Sequence, residues 1–533
     1  VRQFNRPAPT ADDERQLLAL IEAAAALPVA GVPEMERLLR RYPHATGQFS
    51  KDVVVAAYRR FVVQGRLAFD RELLRRLQMK PMRTQSGVAT VTVLTKPYPC
   101  PGQCIFCPTD ARMPKSYLHD EPGAQRAEAH AFDPYATTAS RLRALENIGH
   151  PTDKVELLIL GGTWSSYPKD YQRWFIQRCL DALNGADSVS LEDAQAINAT
   201  AARRNVGLVI ETRPDYIDVA EVERLRAYGV TKVQLGAQSL DDRVLALNRR
   251  GHTVAQTRAA VQLLRAAGFK LHLHWMPNLL GATPESDRDD FLRLWSDPAL
   301  RPDELKIYPC ALVYEAELVG WYTGGEYRPY TDPELIDLIA DCLAATPRYV
   351  RVNRVIRDIP AGHVVAGSTA SNLRESVERH LRATGRRSQD IRWREVRAAR
   401  IAAEALTLDD LPYDTSASRE HFLSIVTPDD RLAGFLRLSL PTIDSASLTG
   451  MQELRGAAMI REVHVYGPVV PLQTAVVGDA QHIGLGARLI AEAEQRARAA
   501  GFQRLAVIAA LGTREYYRRH GFQPEGRYLL KVV

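Results

Sequence analysis

Three cysteines stand on one short loop, Cys100-Pro101-Gly102-Gln103-Cys104-Ile105-Phe106-Cys107-Pro108, and this spacing limits the chain more than any other feature. The whole sequence of 533 residues holds six cysteines. Scattered cysteines usually pack in cores, but three thiols in C-x3-C-x2-C spacing on a Pro/Gly-rich loop can converge on a metal. Two chemistries compete. A four-iron cluster normally takes a thiolate on each iron, so three local cysteines without a fourth leave one iron open to a substrate. A zinc ion would take the same three thiolates and a remote imidazole such as His119 or His130. Spacing alone leaves both open.

A chain of 533 residues is too long for one ordinary core, so two or three domains are expected. Apolar residues at 46% and charged residues at 25% are ordinary for a globular protein. No apolar run approaches about 18 residues, and Val1-Arg2-Gln3-Phe4-Asn5-Arg6-Pro7 lacks a signal-peptide pattern, which excludes a membrane function and gives a cytoplasmic expectation. Sparse cysteines without paired spacing fit a reducing compartment. Because the chain begins with Val1, the native start is expected to lie upstream.

The formal charge of +6 is unevenly placed. Arg37, Arg40, Arg41, Lys51, Arg59, Arg60, Arg66, Arg71, Arg75, Arg76, Lys80 and Arg83 face only Glu36, Asp52, Asp70 and Glu72 between Met35 and Arg83. Helices are expected at 12–27, 34–42, 51–64 and 70–77, separated by Pro28, Pro33, Pro43 and Gly65. Such a region is either an RNA-backbone surface or a solvated helical face.

From about residue 88 short apolar strands alternate with helices. Strands are expected at 91–95, 155–160, 207–212, 232–236, 270–275 and 305–308, a repeat that implies a parallel sheet with chemistry at its carboxyl ends. Just past those ends stand Gly161-Gly162-Thr163, Glu211-Thr212-Arg213-Pro214-Asp215, Gly236-Ala237-Gln238-Ser239 and Tyr308-Pro309-Cys310. Singly, each is equally a turn or a satisfied polar group. His272 and His274 alternate onto one side of their strand, and Cys310 after the next strand would make a zinc site with them; the competing reading is hydrogen-bonded core histidines. Residues 313–395 read as a mixed connector carrying a second basic cluster, Arg386, Arg387, Arg392, Arg394, Arg397 and Arg400, which would extend an RNA surface or brace two domains.

The last part changes pattern to antiparallel-type strands at 421–426, 433–440 and 459–466. Gln481-His482-Ile483-Gly484-Leu485-Gly486 then opens a helix that stops at Gly501, and a glycine-rich turn at a helix start offers free N–H groups to an anion. A strand at 504–509 and a short helix bearing Tyr516-Tyr517 follow.

The cysteine spacing, with Phe106 before Cys107, resembles that of the radical S-adenosylmethionine (SAM) superfamily, and the Q-x-x-G-x-G turn resembles the pyrophosphate loop of GNAT acetyltransferases. The first resemblance implies that Cys100, Cys104 and Cys107 hold a 4Fe-4S cluster whose open iron binds SAM. It also implies that Gly161, Gly162, Thr163, Glu211 and Gln238 contact SAM. The second implies acetyl-CoA on Gln481, His482, Ile483, Gly484, Leu485 and Gly486, with Tyr516 or Tyr517 protonating the CoA thiolate. Core packing is the alternative for those residues.

A radical generator beside an acetyl-CoA module has a chemical logic, since forming a carbon–carbon bond to an acetyl methyl group requires breaking an unactivated C–H bond. From about 85 to 533 the sequence is similar to the Elongator catalytic-subunit family of tRNA wobble-uridine carboxymethyl synthases. Further segments that carry this are Phe132-Asp133-Pro134-Tyr135, Asn248-Arg249-Arg250-Gly251-His252-Thr253, Leu305-Lys306-Ile307-Tyr308-Pro309, Arg357-Asp358-Ile359-Pro360, Arg461-Glu462-Val463-His464-Val465-Tyr466-Gly467 and Gly512-Thr513-Arg514-Glu515-Tyr516-Tyr517. The resemblance implies an α/β chain in four parts. These are a basic helical tRNA-binding region (1–84), a partial (β/α)6 radical SAM barrel (85–312), a connector (313–395) and a GNAT-type α+β domain (396–533). It further implies formation of 5-carboxymethyluridine, an anticodon stem-loop and an electron donor as partners, and catalytic candidates Glu462, His464, Tyr516 and Tyr517. A homodimer stays open. The shorter first cysteine gap, and Asn248-Arg249-Arg250 in place of the usual Asn-Arg-Gly, are not expected to touch a presumed ligand. A protein lysine acetyltransferase with a structural metal or cluster is the alternative enzyme, and a tRNA-binding scaffold the non-enzymatic one.

Overall fold

The computed structural model describes residues 10–27, 32–44, 47–78, 87–357, 359–370, 372–396, 405–466 and 484–533. Its centre is a parallel sheet of seven strands, β1 (Ala89–Leu94), β2 (Lys154–Leu160), β3 (Arg204–Thr212), β4 (Lys232–Gln238), β5 (Lys270–Trp275), β6 (Glu304–Ile307) and β7 (Arg351–Arg354). They lie side by side in chain order, every neighbouring pair parallel, with β1 and β7 as the edges of a curled half-barrel. Helices between the strands cover the outer face, so β4 is buried at all positions but its last. The helix boundaries follow local chemistry. Thr253 and Gln256 form a capping box that starts helix Val254–Ala266, and helix Lys169–Asn184 ends at Gly185 in the left-handed conformation, φ 71°.

Six barrel strands were expected and seven are present. The seventh comes from the segment read as connector: Arg351-Val352-Asn353-Arg354 buries only Val352 fully, so it shows no apolar run. It pairs with β6 through backbone, at Arg351↔Glu304 and Val352↔Leu305.

The C-terminal sheet holds β8 (Thr407–Asp414), β9 (Ser418–Val426), β10 (Leu432–Pro441), β11 (Ala457–Val465), β12 (Arg504–Val507), β13 (Gln523–Glu525) and β14 (Tyr528–Val532) in the order β8-β9-β10-β11-β12-β14-β13. All pairs are antiparallel except β11 with β12. That parallel pairing ends at Ile460↔Val507 while β11 runs on to Val465, so the two strands part and leave a cleft. Strand β8 was not expected; its half-exposed Thr-Leu-Asp-Asp-Leu-Pro-Tyr-Asp run forms an edge.

The N-terminal helices α1 (Ala11–Ala26), α2 (Val32–Arg41), α3 (Lys51–Val63) and α4 (Arg71–Leu77) enclose their own core around Leu17, Leu20, Tyr58 and Phe61. Part of their basic charge is paired internally: Glu14 lies 3.0 Å from Arg60 and 3.4 Å from Arg66. Arg40 and Arg41 are exposed. Lys80, Arg83, Arg397 and Arg400 lie outside the described residues. Among the described residues no helix is long and apolar enough to cross a membrane.

Candidate active sites at the two ends of the half-barrel

The cysteine loop follows β1 at the carboxyl end of the sheet. Its backbone is tied down by Ile105 N–H donating to Asn248 O (3.3 Å) and Leu318 N–H donating to Ile105 O (2.9 Å). Arg250 Nη1 donates to Cys104 Sγ at 3.5 Å, and Cys100 Sγ lies 3.8 Å from Thr163 Oγ1. The segment 248–250, expected to stand clear of any ligand, therefore touches one directly: Asn248 and Arg250 are buried, and Arg250 is anchored by donating to Gly236 O at 2.7 Å. A hydrogen bond from Cys107, joined by the charges of Arg250 and Arg213 and opposed by burial, pushes the Cys104 thiol down to about 5. Arg213 Nη1 and Arg250 Nε are buried donors with no protein acceptor. Three thiols with spare buried guanidinium donors beside them suit an anionic thiolate-held cluster. His119 sits on Asp110 (3.1 Å), and no group of the cysteines with a histidine or carboxylate reaches metal-binding spacing among the described residues.

The other candidate residues stand at the same carboxyl end of the sheet. At Gly161, φ 149°, a Cβ would fall 1.7 Å from Thr95 Oγ1, so only glycine lets β2 turn against β1 there. Glu211 accepts from Tyr117 OH at 3.1 Å, and burial pushes its carboxyl up. Gln238 has φ 69°, unusual for a residue with a side chain, and its Oε1 is buried without a partner. Strain and an unmet acceptor at one strand end are the mark of a ligand-facing position.

The lumen of the half-barrel is polar. Gln234 Oε1 accepts from Lys306 Nζ (2.6 Å) and lies 2.9 Å from His274 Nε2, while His272 Nδ1 lies 3.1 Å from Glu304. Burial drives His272 down to about 3, so it is neutral. The expected zinc set of His272, His274 and Cys310 does not form. Cys310 lies past the end of β6 in an apolar cluster with Leu312, Leu318 and Tyr327, and these three residues bring no common ligand sphere together.

At the amino end of the sheet the C-terminal domain docks through ion pairs. Arg461 is fully buried and spans Asp303 (2.6 Å) and Glu420 (2.9 Å). Lys270 bridges Glu304 (2.6 Å) and Glu462 (2.5 Å), and Arg437 holds the other oxygen of Glu462 at 2.8 Å. Although burial alone would raise it, Lys270 and Arg437 hold the Glu462 carboxyl below the usual range. Above this layer a cavity of about 470 Å³ is lined by Lys270, Glu304, Glu462, His464, Val507 and Tyr517, so the cleft between β11 and β12 opens onto the barrel floor. Burial pushes His464 down to about 4, and its Nε2 is buried without a partner. Tyr516 and Tyr517 diverge: Tyr517 is buried at that cavity, and Tyr516 is 39% exposed. A Cβ at Gly486 would meet the Tyr516 hydroxyl at 2.4 Å, which places that ring on the start of helix Leu485–Ala499. Gln481, His482 and Ile483 lie outside the described residues, leaving Gly484, Leu485 and Gly486 to mark the turn.

Sequence reasoning did not single out Arg213, Arg250 and Tyr117 at the first site, nor the Asp303 to Arg461 node at the second. The signal for Arg250 was its place in a polar Gly-flanked segment between β4 and the next long helix. Asp303 gave none, since its partners Arg437 and Arg461 are more than a hundred residues away, and Arg461 stood in a family-like segment that says nothing of its partner.

Comparison with known proteins agrees with this architecture. Residues 98–294 match the Radical SAM superfamily, 302–383 the Radical_SAM C-terminal domain and 389–522 the Acetyltransferase (GNAT) family. The chain is 44% identical over 459 residues to the tRNA uridine(34) acetyltransferase of Dehalococcoides mccartyi, covering 85% of this chain and 99% of that protein. It is 36% identical over 479 residues to Elongator complex protein 3 of Homo sapiens, covering 86% and 87%. The solved archaeal Methanocaldococcus infernus Elp3 with an N-terminal deletion superposes with a TM-score of 0.72 at 36% identity, over 84% of this chain and 99% of that one. With a radical SAM half-barrel, a GNAT sheet docked beneath it and relatives matched over nearly their whole length, this chain belongs to the tRNA uridine(34) acetyltransferase/Elongator complex protein 3 family.

Proposed function

We propose that this protein uses SAM and acetyl-CoA to place a carboxymethyl group on C5 of the wobble uridine of tRNA. The observation that carries the reading is the shared cavity: Glu462, His464 and Tyr517 of the acetyltransferase half line one space with Lys270 and Glu304 on the barrel floor. From there the polar side chains of β3 to β6 continue up the lumen through His272, His274 and Gln234 to Glu211, near the cysteine loop.

In this reading Cys100, Cys104 and Cys107 hold the 4Fe-4S cluster, and Gly161, Gly162, Thr163, Glu211 and Gln238 hold SAM. Once bound, cluster and SAM supply a radical able to break an unactivated C–H bond, which side-chain acids and bases cannot do at neutral pH. Arg213 and Arg250 offset the thiolate charge and carry spare donors toward the ligand. The helix start at Gly484, Leu485 and Gly486, with the preceding Gln481, His482 and Ile483, takes the CoA pyrophosphate. Tyr517 protonates the departing thiolate, because its ring rather than that of Tyr516 lines the cavity. Neutral His464, with Nε2 open, accepts a proton from the water that hydrolyses the thioester. Glu462 is pinned by two cations and serves to join the halves.

The exposed Arg40 and Arg41 on α2 support a role for the N-terminal helices in holding the tRNA backbone, with the target uridine unstacked from its single-stranded loop. The test is anaerobic reconstitution, then incubation with SAM, reductant, acetyl-CoA and unmodified tRNA, read by nucleoside mass spectrometry. Carboxymethyluridine at the wobble position is expected. Acetylated protein without SAM dependence would instead support a lysine acetyltransferase.

A further inference from the structure

The loop that follows the cysteines, 108–121, lies against the segments that follow β6 and β7, and five titratable side chains from the three meet there. His119, Asp120 and His363 each offer one ligand atom within 4.8 Å of the others, and they are the sole such group among the described residues. Each imidazole is also held by a further carboxylate. His119 Nδ1 lies 3.1 Å from Asp110 Oδ2, and His363 Nδ1 lies 2.5 Å from Glu315 Oε1. His363 Nε2 lies 2.9 Å from Asp120 Oδ2. Asp120 Oδ1 and Glu315 Oε2 are buried atoms without a hydrogen-bond partner.

We propose that His119, Asp120 and His363 bind a divalent transition ion of the zinc class. Three features support it. Metal-bound histidines characteristically give their second nitrogen to a carboxylate, which fixes the tautomer and turns the other lone pair to the ion; Asp110 and Glu315 are placed to do this for both rings. The charge balance favours it as well: Asp110, Asp120 and Glu315 bring three negative charges around two imidazoles, and Arg112 offsets only the one on Asp110 (3.2 Å). The spacing is close to suitable, since ligands about 2.0–2.2 Å from a tetrahedral ion stand roughly 3.3 Å apart. His363 and Asp120 stand 2.9 Å apart as a hydrogen bond and would open by a few tenths of an ångström to admit the ion, while His119, within 4.8 Å of both, would draw in.

The ion would staple the loop carrying the cluster cysteines to the end of the barrel. The same two segments are already joined by Arg357 donating to Glu121 (2.6 Å) and to Ser116 Oγ (2.9 Å), and Thr109 N–H donates to Glu315 O (3.1 Å) in the segment after β6. Two imidazoles and a carboxylate with no sulfur distinguish this site from the cysteine site. The proposal does not depend on the tRNA reading.

The test uses the full chain reconstituted with its iron–sulfur cluster in zinc-free buffer, so that the cysteines are occupied, and titrates it with zinc chloride alone. About one zinc per chain beyond the cluster iron is expected by elemental mass spectrometry, with zinc-edge X-ray absorption showing nitrogen and oxygen neighbours only. His363→Gln and His119→Gln should each weaken binding at least about tenfold. His119 is 38% exposed, so its variant is expected to fold, with unchanged iron content as the check. No zinc bound to the cluster-loaded protein, sulfur in the zinc shell, or parent-like binding by both variants would overturn the proposal and leave the cluster as a protonated imidazole and carboxylate network.

Discussion

The two ends of the half-barrel sheet both bury charged side chains but handle them in opposite ways. At the amino end the charges are paired with one another: Asp303, Glu420, Arg461, Arg437, Glu462, Lys270 and Glu304 form a continuous buried set with the acetyltransferase sheet, in which Arg437 Nη1 keeps an ion-pair contact but no hydrogen bond. At the carboxyl end they are left open, with Arg213 Nη1, Arg250 Nε and Gln238 Oε1 buried and unmatched. In a closed set the attraction offsets the desolvation of each charge, and removing one member strands the others in a low dielectric. An open set costs stability in the free protein and returns it when a ligand arrives. One sheet thus separates the work of assembly from the work of binding.

Arg461→Ala breaks the comparison most severely, because it leaves Asp303 and Glu420 buried without their main cation. A loss of about 3–5 kcal/mol is expected from the urea midpoint. A midpoint within error of the parent would show that the node does not hold the halves together. Cys104→Ala, at the open end, is expected to abolish cluster iron while leaving stability within about 1 kcal/mol. Equal damage to fold and cluster would erase the distinction between the ends.

The shared cavity is sharpened by the tyrosine pair. Tyr517→Phe should lower acetyl-CoA turnover about 100-fold, and Tyr516→Phe less than tenfold; the reverse order would move the general acid to the helix start at Gly486. The smallest effect is a pH dependence. His464 titrates near 4 in the fold against about 6.5 when unfolded, so the fold favours its neutral form. Its contribution is fully present above pH 6.5 and is lost as pH falls through 4, at a slope below about 1.4 kcal/mol per pH unit. His464→Gln should flatten that part of the stability profile, and an unchanged slope would place the proton uptake elsewhere.

Legibility in the sequence follows the same division. The cysteine loop, Gly161-Gly162-Thr163 and the Gly484-Leu485-Gly486 turn are local arrangements whose spacing carries their geometry, and the alternating strands and helices announced the parallel sheet. Strand β7 was missed because its burial comes from backbone pairing at an edge, with Val352 as its one fully buried residue. The zinc set of His272, His274 and Cys310 was misjudged because strand alternation places side chains on a face without saying how far the chain turns after the strand ends. His119 and His363 are 244 positions apart in number and meet only because β7 returns the chain to the cysteine loop. The pairing of Arg461 with Asp303 is equally silent, since a buried ion pair between domains leaves no periodicity.

The central claim is that both halves act on one nucleoside, and acetyl-CoA deuterated in its methyl group tests it most directly. With SAM, reductant and unmodified tRNA, the wobble uridine is expected to gain a carboxymethyl group that has lost one methyl deuterium, and the Cys104→Ala chain should form none. A tRNA carrying an acetyl group with its full label, or label found on protein lysines independent of SAM, would contradict the account.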